Sequence, residues 1–337
     1  MSGTSGASGW RSPSAVLRLL AGLAILALLL ALLPRARVWS AIRSVPLRLW
    51  LAVVAGYLAA HSLGAMKYRM MVNLGGAGLS RAQAAQCYFG GLFGTLFLPS
   101  IVGGDVVRAG VGLRVARHRA GFLLGSLADR LLDVCALALI SAGGALLLPG
   151  QLDARSRRVF LLLAAVGVLL VAGAVAAAAL LPAARFPFRI RRKLVRLREA
   201  AGALRARPHV VLLALLGGVV VQGTFATLTA VLADFCGLHL RLRVWLLAWP
   251  LAKLAALLPL SQGGLGVREA ALAALLLPFG APAALSVAVG LVWQTVIYSG
   301  GLLSGVLALL ARRVETRSAA APESLAPDAS GRAAQPR

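Results

Sequence analysis

Long apolar runs alternate with short basic stretches along this chain. Ala15–Leu33, Arg158–Leu181 and His209–Phe235 reach or approach the ~20 residues that a helix needs to cross a bilayer. Stretches 45–63, 121–149 and 283–311 repeat the pattern, which predicts six full spans. Two further apolar pieces, Gln83–Leu98 and Val244–Leu258, are too short for a crossing, and each ends at a proline followed by glycines. Broken backbone at membrane depth is tolerated only where protein or a wet cavity surrounds it. Both pieces are therefore expected to dip in and return. The expected fold is all-α and polytopic: a transmembrane domain over 15–311 with six full helices plus two broken or re-entrant half-helix pairs. Residues 1–14 and 312–337, rich in Gly/Ser and in Ala/Pro/Ser, are expected to be disordered. Arg11 and Arg18 precede the first run as in a signal peptide, but Pro34-Arg35-Ala36-Arg37 offers no small-residue cleavage site, so the run reads as a retained anchor.

Composition agrees with this picture. Hydrophobic residues make up 60% of the 337 positions and charged residues only 13%, against roughly a quarter charged in soluble domains. The formal charge of +25 raises nucleic acid as a partner. That reading fails because the basic residues sit between apolar spans, where the positive-inside bias places them. The segment 185–207 carries nine Lys/Arg against the single acid Glu199, which assigns it to the cytoplasm. Traced outward, the inner segments (the N-terminus through Arg18, 64–82, 108–119, 185–207 and the tail) hold 23 Lys/Arg, and the outer ones (34–48, 150–158, 237–243) hold 9. Both termini are then cytoplasmic. Within 185–207 the apolar residues recur at helical spacing, which suits either an interfacial helix on anionic lipid or a plain basic loop. Cys87, Cys135 and Cys236 lie in or beside apolar segments without metal-ligand spacing, so neither a metal nor another cofactor is expected.

One pattern occurs twice. Residues 99–108 read P-S-I-V-G-G-D-V-V-R and 259–268 read P-L-S-Q-G-G-L-G-V-R, both P-x-x-x-G-G-x-x-x-R. Each copy follows one of the short apolar pieces. Three expected spans lie between them, and an odd number of crossings turns the second copy upside down. Interrupted hydrophobic segments at matching positions of two halves point to a transporter-type site. Pro99 and Pro259 would end the first half-helix. Gly103, Gly104, Gly263 and Gly264 would let the backbone turn and approach a ligand. The next half-helix would open with bare N–H groups and a positive dipole end. Arg108 and Arg268 near those ends could fork onto a lipid phosphate. The plain alternatives are re-entrant packing without a ligand, and arginines that snorkel to the interface. Asp105 and Glu269 either neutralise the two arginines or take part in coupling.

A second constellation lies on 121–149. Ser126, Asp129, Arg130 and Asp133 share one helix face. With a start near Ala120, Asp129 is ~13 Å deep at 1.5 Å per residue. Charges at that depth face the protein interior, either as a structural ion-pair cluster or along a substrate path. Gln222, Thr224, Thr227, Gln294 and Tyr298 are read as hydrogen bonds between helices. Lys253 and Asp234 fall near span ends and read as snorkelling groups, and the four histidines receive no role.

The stretch Phe93–Arg108, followed by Ala128-Asp129-Arg130, resembles the lysylphosphatidylglycerol synthase transmembrane region family. Leu258–Ala270 is similar to that family's second signature, and the resemblance covers roughly 15–311. It implies a flippase-like protein of the bacterial inner membrane that moves an aminoacylated or other polar lipid between leaflets, as similar stand-alone proteins are linked to hopanoid, glycolipid or envelope-lipid pathways. It also implies that Gly103, Gly104, Asp105, Arg108, Asp129 and Arg130 match the first signature, and Pro259, Gly263, Gly264, Gly266, Arg268 and Glu269 the second. Full-length synthases carry a soluble aminoacyl-transfer domain, which is not expected in the residues after Ala311. The expected partners are membrane lipids with an anionic or polar head group, beside an envelope-lipid biosynthesis partner. The rival readings are an enzyme of lipid-linked glycosyl- or aminoacyl-transfer, disfavoured by only ten acids and no D-x-D pair, and a non-catalytic membrane subunit.

Overall fold

Helix accounts for every long apolar run among the described residues, which are 13–97, 101–148, 206–256, 261 and 264–320 with single positions 158, 165 and 202 in the computed structural model. Ten α-helices are described in full: α1 (Pro13–Leu32), α2 (Arg35–Arg43), α3 (Leu47–Leu74), α4 (Arg81–Phe97), α5 (Ile101–Val115), α6 (Arg119–Leu146), α7 (Pro208–Phe235), α8 (Leu242–Ala256), α9 (Val267–Leu276) and α10 (Ala283–Ala320). No strand occurs among the described residues. Among the described residues three helices are long and apolar enough to cross a membrane: α3, α7 and the Ala283–Thr316 part of α10. A fourth crossing is added if Leu23–Leu32 and Arg35–Arg43, bent by 105° at Pro34, count as one span. α6 matches α3 and α7 at 28 residues but carries Asp129, Arg130 and Asp133. The expected span 158–181 and the basic stretch 185–207 lie outside the described residues, apart from single positions.

Two boundaries differ from the sequence reading. The helix expected over 45–63 runs on to Leu74. Lys67 interrupts the apolar run and suggests a loop, but the backbone turns only where glycine permits it, at Gly76 (φ 86°) and Gly78 (φ 67°). α10 continues past Ala311 to Ala320. Its Glu315 there accepts from Ser80 Oγ and Gln83 Nε2, each at 2.8 Å.

Close backbone contact sets the register of the bundle. α3 and α6 run antiparallel and meet through Gly121-x-x-x-Gly125, a small-residue seam of the kind that brings membrane helices together. A Cβ on Gly121 would lie 1.6 Å from the Gly75 carbonyl oxygen, and one on Gly125 would lie 2.5 Å from the Met71 carbonyl oxygen. The His118 side chain caps α6 by accepting from Gly121 N at 3.1 Å. One turn further along each helix, this register brings Lys67 opposite Asp129.

α4 and α5 form a tight antiparallel hairpin, in which Gly91 faces Arg108, Gly94 faces Val107 and Thr95 faces Gly104. Here the first motif departs from expectation. Pro99 lies outside the described residues, and α5 has already begun at Ile101, so Gly103 and Gly104 are buried in its first turn instead of forming the break. A Cβ on Gly104 would sit 2.6 Å from the Gly91 carbonyl oxygen, so this glycine is needed for helix packing. In the second copy Gly264 (φ 76°) of the expected glycine pair turns the chain together with Gly266 (φ 79°), which was not expected to, before α9 starts at Val267. Pro259 and Gly263 lie outside the described residues.

Candidate functional site

The register of α3 on α6 buries a charge cluster. Lys67 Nζ lies 2.8 Å from Asp129 Oδ1 and 2.7 Å from Asp133 Oδ1, with Lys67 4% and Asp129 1% exposed. By sequence Lys67 falls in the stretch 64–82, among the expected cytoplasmic loop cations. It belongs instead to the bundle interior, so it drops out of the charge bias between loops, as does the buried Arg108. The α4–α5 hairpin adds to this cluster. Arg130 Nε donates to both carboxylate oxygens of Asp105, at 2.9 and 3.0 Å, which ties α6 to α5. Arg108 Nη1 lies 3.8 Å from Asp105 and 3.9 Å from Asp129, beyond hydrogen-bonding distance. The Arg108 guanidinium lies over the rings of both Tyr68 and Tyr88, at 4.7 and 4.5 Å from their centroids, and the two rings adjoin each other at 6.0 Å. Its Nε is buried and has no hydrogen-bond partner among the described residues. Arg108 sits two turns into α5, so it is neither at the helix N-terminus nor snorkelling to an interface.

The two sequence constellations are thus one site: Asp105 and Arg108 of the first motif interlock with Asp129, Arg130 and Asp133. Tyr68 Oη also meets Ser126 Oγ at 3.2 Å, so the whole polar face of α6 is engaged.

The second motif makes a different arrangement. Arg268 Nη2 donates to Glu269 Oε1 and Gln294 Oε1, both at 2.6 Å, and all three side chains are buried. Glu269 Oε2 accepts from the Gly266 backbone N at 2.7 Å and caps α9. Glu269 therefore serves the helix end and the arginine at once. Beside Gln294 lies a cavity of about 570 Å³ with mostly apolar walls, among them Trp39, Trp50, Leu265, Leu291 and Tyr298.

Sequence reasoning missed the region between the motifs. His61 Nδ1 and Tyr88 Oη are 3.1 Å apart. The His61 ring packs against Tyr57 at 4.3 Å and Phe225 at 4.9 Å. Trp249 and Trp293 complete this aromatic wall, edge to face at 6.0 Å. Lys253, expected to snorkel, is held inward: Nζ donates to Gln222 Oε1 at 2.7 Å and lies 5.1 and 5.0 Å from the ring centroids of Phe225 and Trp249. Gln222 and Gln294 do link helices as read from the sequence, whereas Thr224 and Thr227 bond back to carbonyls of their own helix. Among the described residues no group of three His, Cys, Asp or Glu side chains could hold a metal ion.

These motifs and their helical frame accompany a match to a known family. The family model for the lysylphosphatidylglycerol synthase TM region matches residues 17–305, most of the chain. The chain belongs to that family. As a member of the lysylphosphatidylglycerol synthase TM family with several membrane-crossing helices, it is a multi-pass membrane protein, and its family places it in lysylphosphatidylglycerol or related lipid handling. Neither curated proteins nor solved structures give a match. Both family signatures read from the sequence, around Arg108 and around Arg268, fall within the matched residues.

Proposed function

We propose that this protein is a flippase-like lipid transporter of the bacterial inner membrane, which passes an anionic or aminoacylated polar head group between leaflets for the cell envelope. In this reading six spans frame two re-entrant hairpins, α4–α5 and α8–α9. The hairpins are related as an inverted repeat, open to opposite faces, and leave both termini in the cytoplasm. The observation that carries the proposal is the Arg108 guanidinium, buried at 4% exposure and packed over two adjoining tyrosine rings, with its nearest carboxylates at 3.8 and 3.9 Å. Its donors are charge-balanced without being hydrogen-bonded to those acids. That is the state of an arginine kept ready for a phosphate, which it can grip in a bidentate fork.

Gly104 serves by letting α4 approach α5, which sets the position of Arg108 over the rings, and Gly103 is buried beside it in the first turn of α5. Asp105, Asp129, Arg130 and Asp133 form the polar lining, and Lys67 holds two of the acids. Arg268 and Glu269, already bound to each other and to Gln294, shape the second hairpin. The apolar cavity beside Gln294 fits a lipid chain while the polar tract takes the head group.

The test is transport of fluorescent phosphatidylglycerol in proteoliposomes. Arg108→Ala is expected to lower the rate by about tenfold or more, the loss of roughly one charge-assisted hydrogen bond, and Arg108→Lys to keep part of it. A wild-type rate in Arg108→Ala vesicles would remove the head-group role.

A further inference from the structure

Among the described residues the charges in and beside the bundle interior do not cancel: five cations, Lys67, Arg108, Arg130, Lys253 and Arg268, stand against four carboxylates, Asp105, Asp129, Asp133 and Glu269, of which the Arg130–Asp105 pair is the most exposed. The pairings locate the surplus. Lys67 has Asp129 and Asp133, Arg130 has Asp105, and Arg268 has Glu269. Arg108 shares Asp105 and Asp129 at longer range. Lys253 has no carboxylate within ion-pair distance among the described residues. Its ammonium rests on the Gln222 amide oxygen and on the faces of Phe225 and Trp249. A lone ammonium inside a membrane protein is costly. Ring faces and an amide oxygen partly offset that cost without supplying a counter-charge.

We infer that Lys253, and not Arg268, is the second anion-binding group of the interior, and that the lipid it takes carries one net negative charge. The inference rests on the transport reading above for its setting but not for its chemistry. Arg268 already has its counter-charge: its Nη2 donates at 2.6 Å to both Glu269 and Gln294, although its buried Nε, like that of Arg108, has no hydrogen-bond partner among the described residues. Lys253 is partly exposed, and a phosphate oxygen can replace Gln222 as acceptor without breaking an ion pair.

A chain of contacts also connects Lys253 to Arg108. The Arg108 guanidinium lies 4.5 Å from the Tyr88 ring, Tyr88 Oη meets His61 Nδ1 at 3.1 Å, His61 packs 4.9 Å from Phe225, and Phe225 lies 5.1 Å from Lys253 Nζ. Two cations that rest on aromatic rings, one on each hairpin, are thus joined by one run of aromatic contacts. A phosphodiester lipid with a single charge neutralises the surplus. A lysylated phosphatidylglycerol, with two ammonium groups on one phosphodiester, would instead raise it to two positive charges. The site therefore selects the unmodified anionic lipid over the lysylated one.

Native mass spectrometry of the full chain in detergent tests this directly. The protein is equilibrated with equal amounts of phosphatidylglycerol, phosphatidylcholine and lysylphosphatidylglycerol, with and without excess inorganic phosphate. Wild type is expected to retain phosphatidylglycerol above the other two. Lys253→Gln should lower that retention by about tenfold, the usual worth of one charge-assisted contact, while phosphatidylcholine is unchanged. Lys253→Arg, which keeps the charge, should retain the preference and confirms that the position tolerates substitution. Undiminished phosphatidylglycerol on Lys253→Gln overturns the site, and equal retention of the lysylated lipid by wild type overturns the charge selection. Displacement of phosphatidylglycerol by inorganic phosphate would assign Lys253 to a free anion and overturn the lipid. If Lys253→Gln loses the lipid while wild-type vesicles transport none, this site stands and the transport reading falls. Working transport beside undiminished binding has the opposite meaning.

Discussion

Lys67 shows how one side chain can hold a membrane interior together. Its ammonium balances Asp129 and Asp133 at 2.8 and 2.7 Å, and Asp129 is only 1% exposed. Removing one partner of a buried ion pair strands the other charge, which costs about 3–5 kcal/mol, whereas removing both partners together costs far less. Lys67→Met is therefore expected to lower thermal stability in detergent by that order, and adding Asp129→Asn should restore part of it. A Lys67→Met protein that melts at the wild-type temperature would contradict the pairing. The Arg130–Asp105 pair is more exposed, at 41% and 34%, and contributes less by the same measure.

At the scale of elements, glycines decide where helices touch. Gly104 and Gly110 both lie on α5, but a Cβ on Gly104 would meet Thr95 Cγ2 at 2.3 Å and the Gly91 carbonyl oxygen at 2.6 Å, while one on Gly110 meets nothing within 4 Å. Gly104→Ala should cost about 1–3 kcal/mol through overpacking. Gly110→Ala should be neutral or add up to about 1 kcal/mol, because alanine loses less backbone freedom in a helix. Paired thermal melts of the two variants check this, and equal effects would exclude the hairpin packing. The two motif copies share their spacing but not their geometry. The first places its glycines inside a helix, with Gly104 against the backbone of α4, and the second places Gly264 and Gly266 at positive φ. Spacing alone reports that small residues are needed, not which of these two needs applies.

For the whole molecule, the helical class, the two interrupted segments and the polar face of α6 were legible in the sequence, because each leaves a mark in the periodicity of apolar positions. The site that joins them was not. Lys67 reads as a loop cation because it falls just past the expected end of a span, and Lys253 reads as a snorkelling group near another. Both turn inward because of contacts many residues away, with Asp129 and Asp133 for one and with Gln222 and Phe225 for the other. Tyr68, Tyr88, His61 and Phe225 look like ordinary membrane-helix residues until tertiary packing aligns them. The proposed opposition of the two hairpins makes its own prediction. With Cys87, Cys135 and Cys236 replaced by Ala, cysteines at Arg81 and His239, both exposed, should react with an impermeant maleimide from opposite faces of the membrane. Labelling of both from the same side would refute the inverted arrangement.

The far end of α10 is fastened to the start of α4 through Glu315, whose two carboxylate oxygens take Ser80 Oγ and Gln83 Nε2. The last helix thus works as a strut anchored at the root of the first hairpin. Any load applied to the polypeptide behind Ala320, whether from a bound protein or a tether, is delivered to the same rod that carries Tyr88 against Arg108.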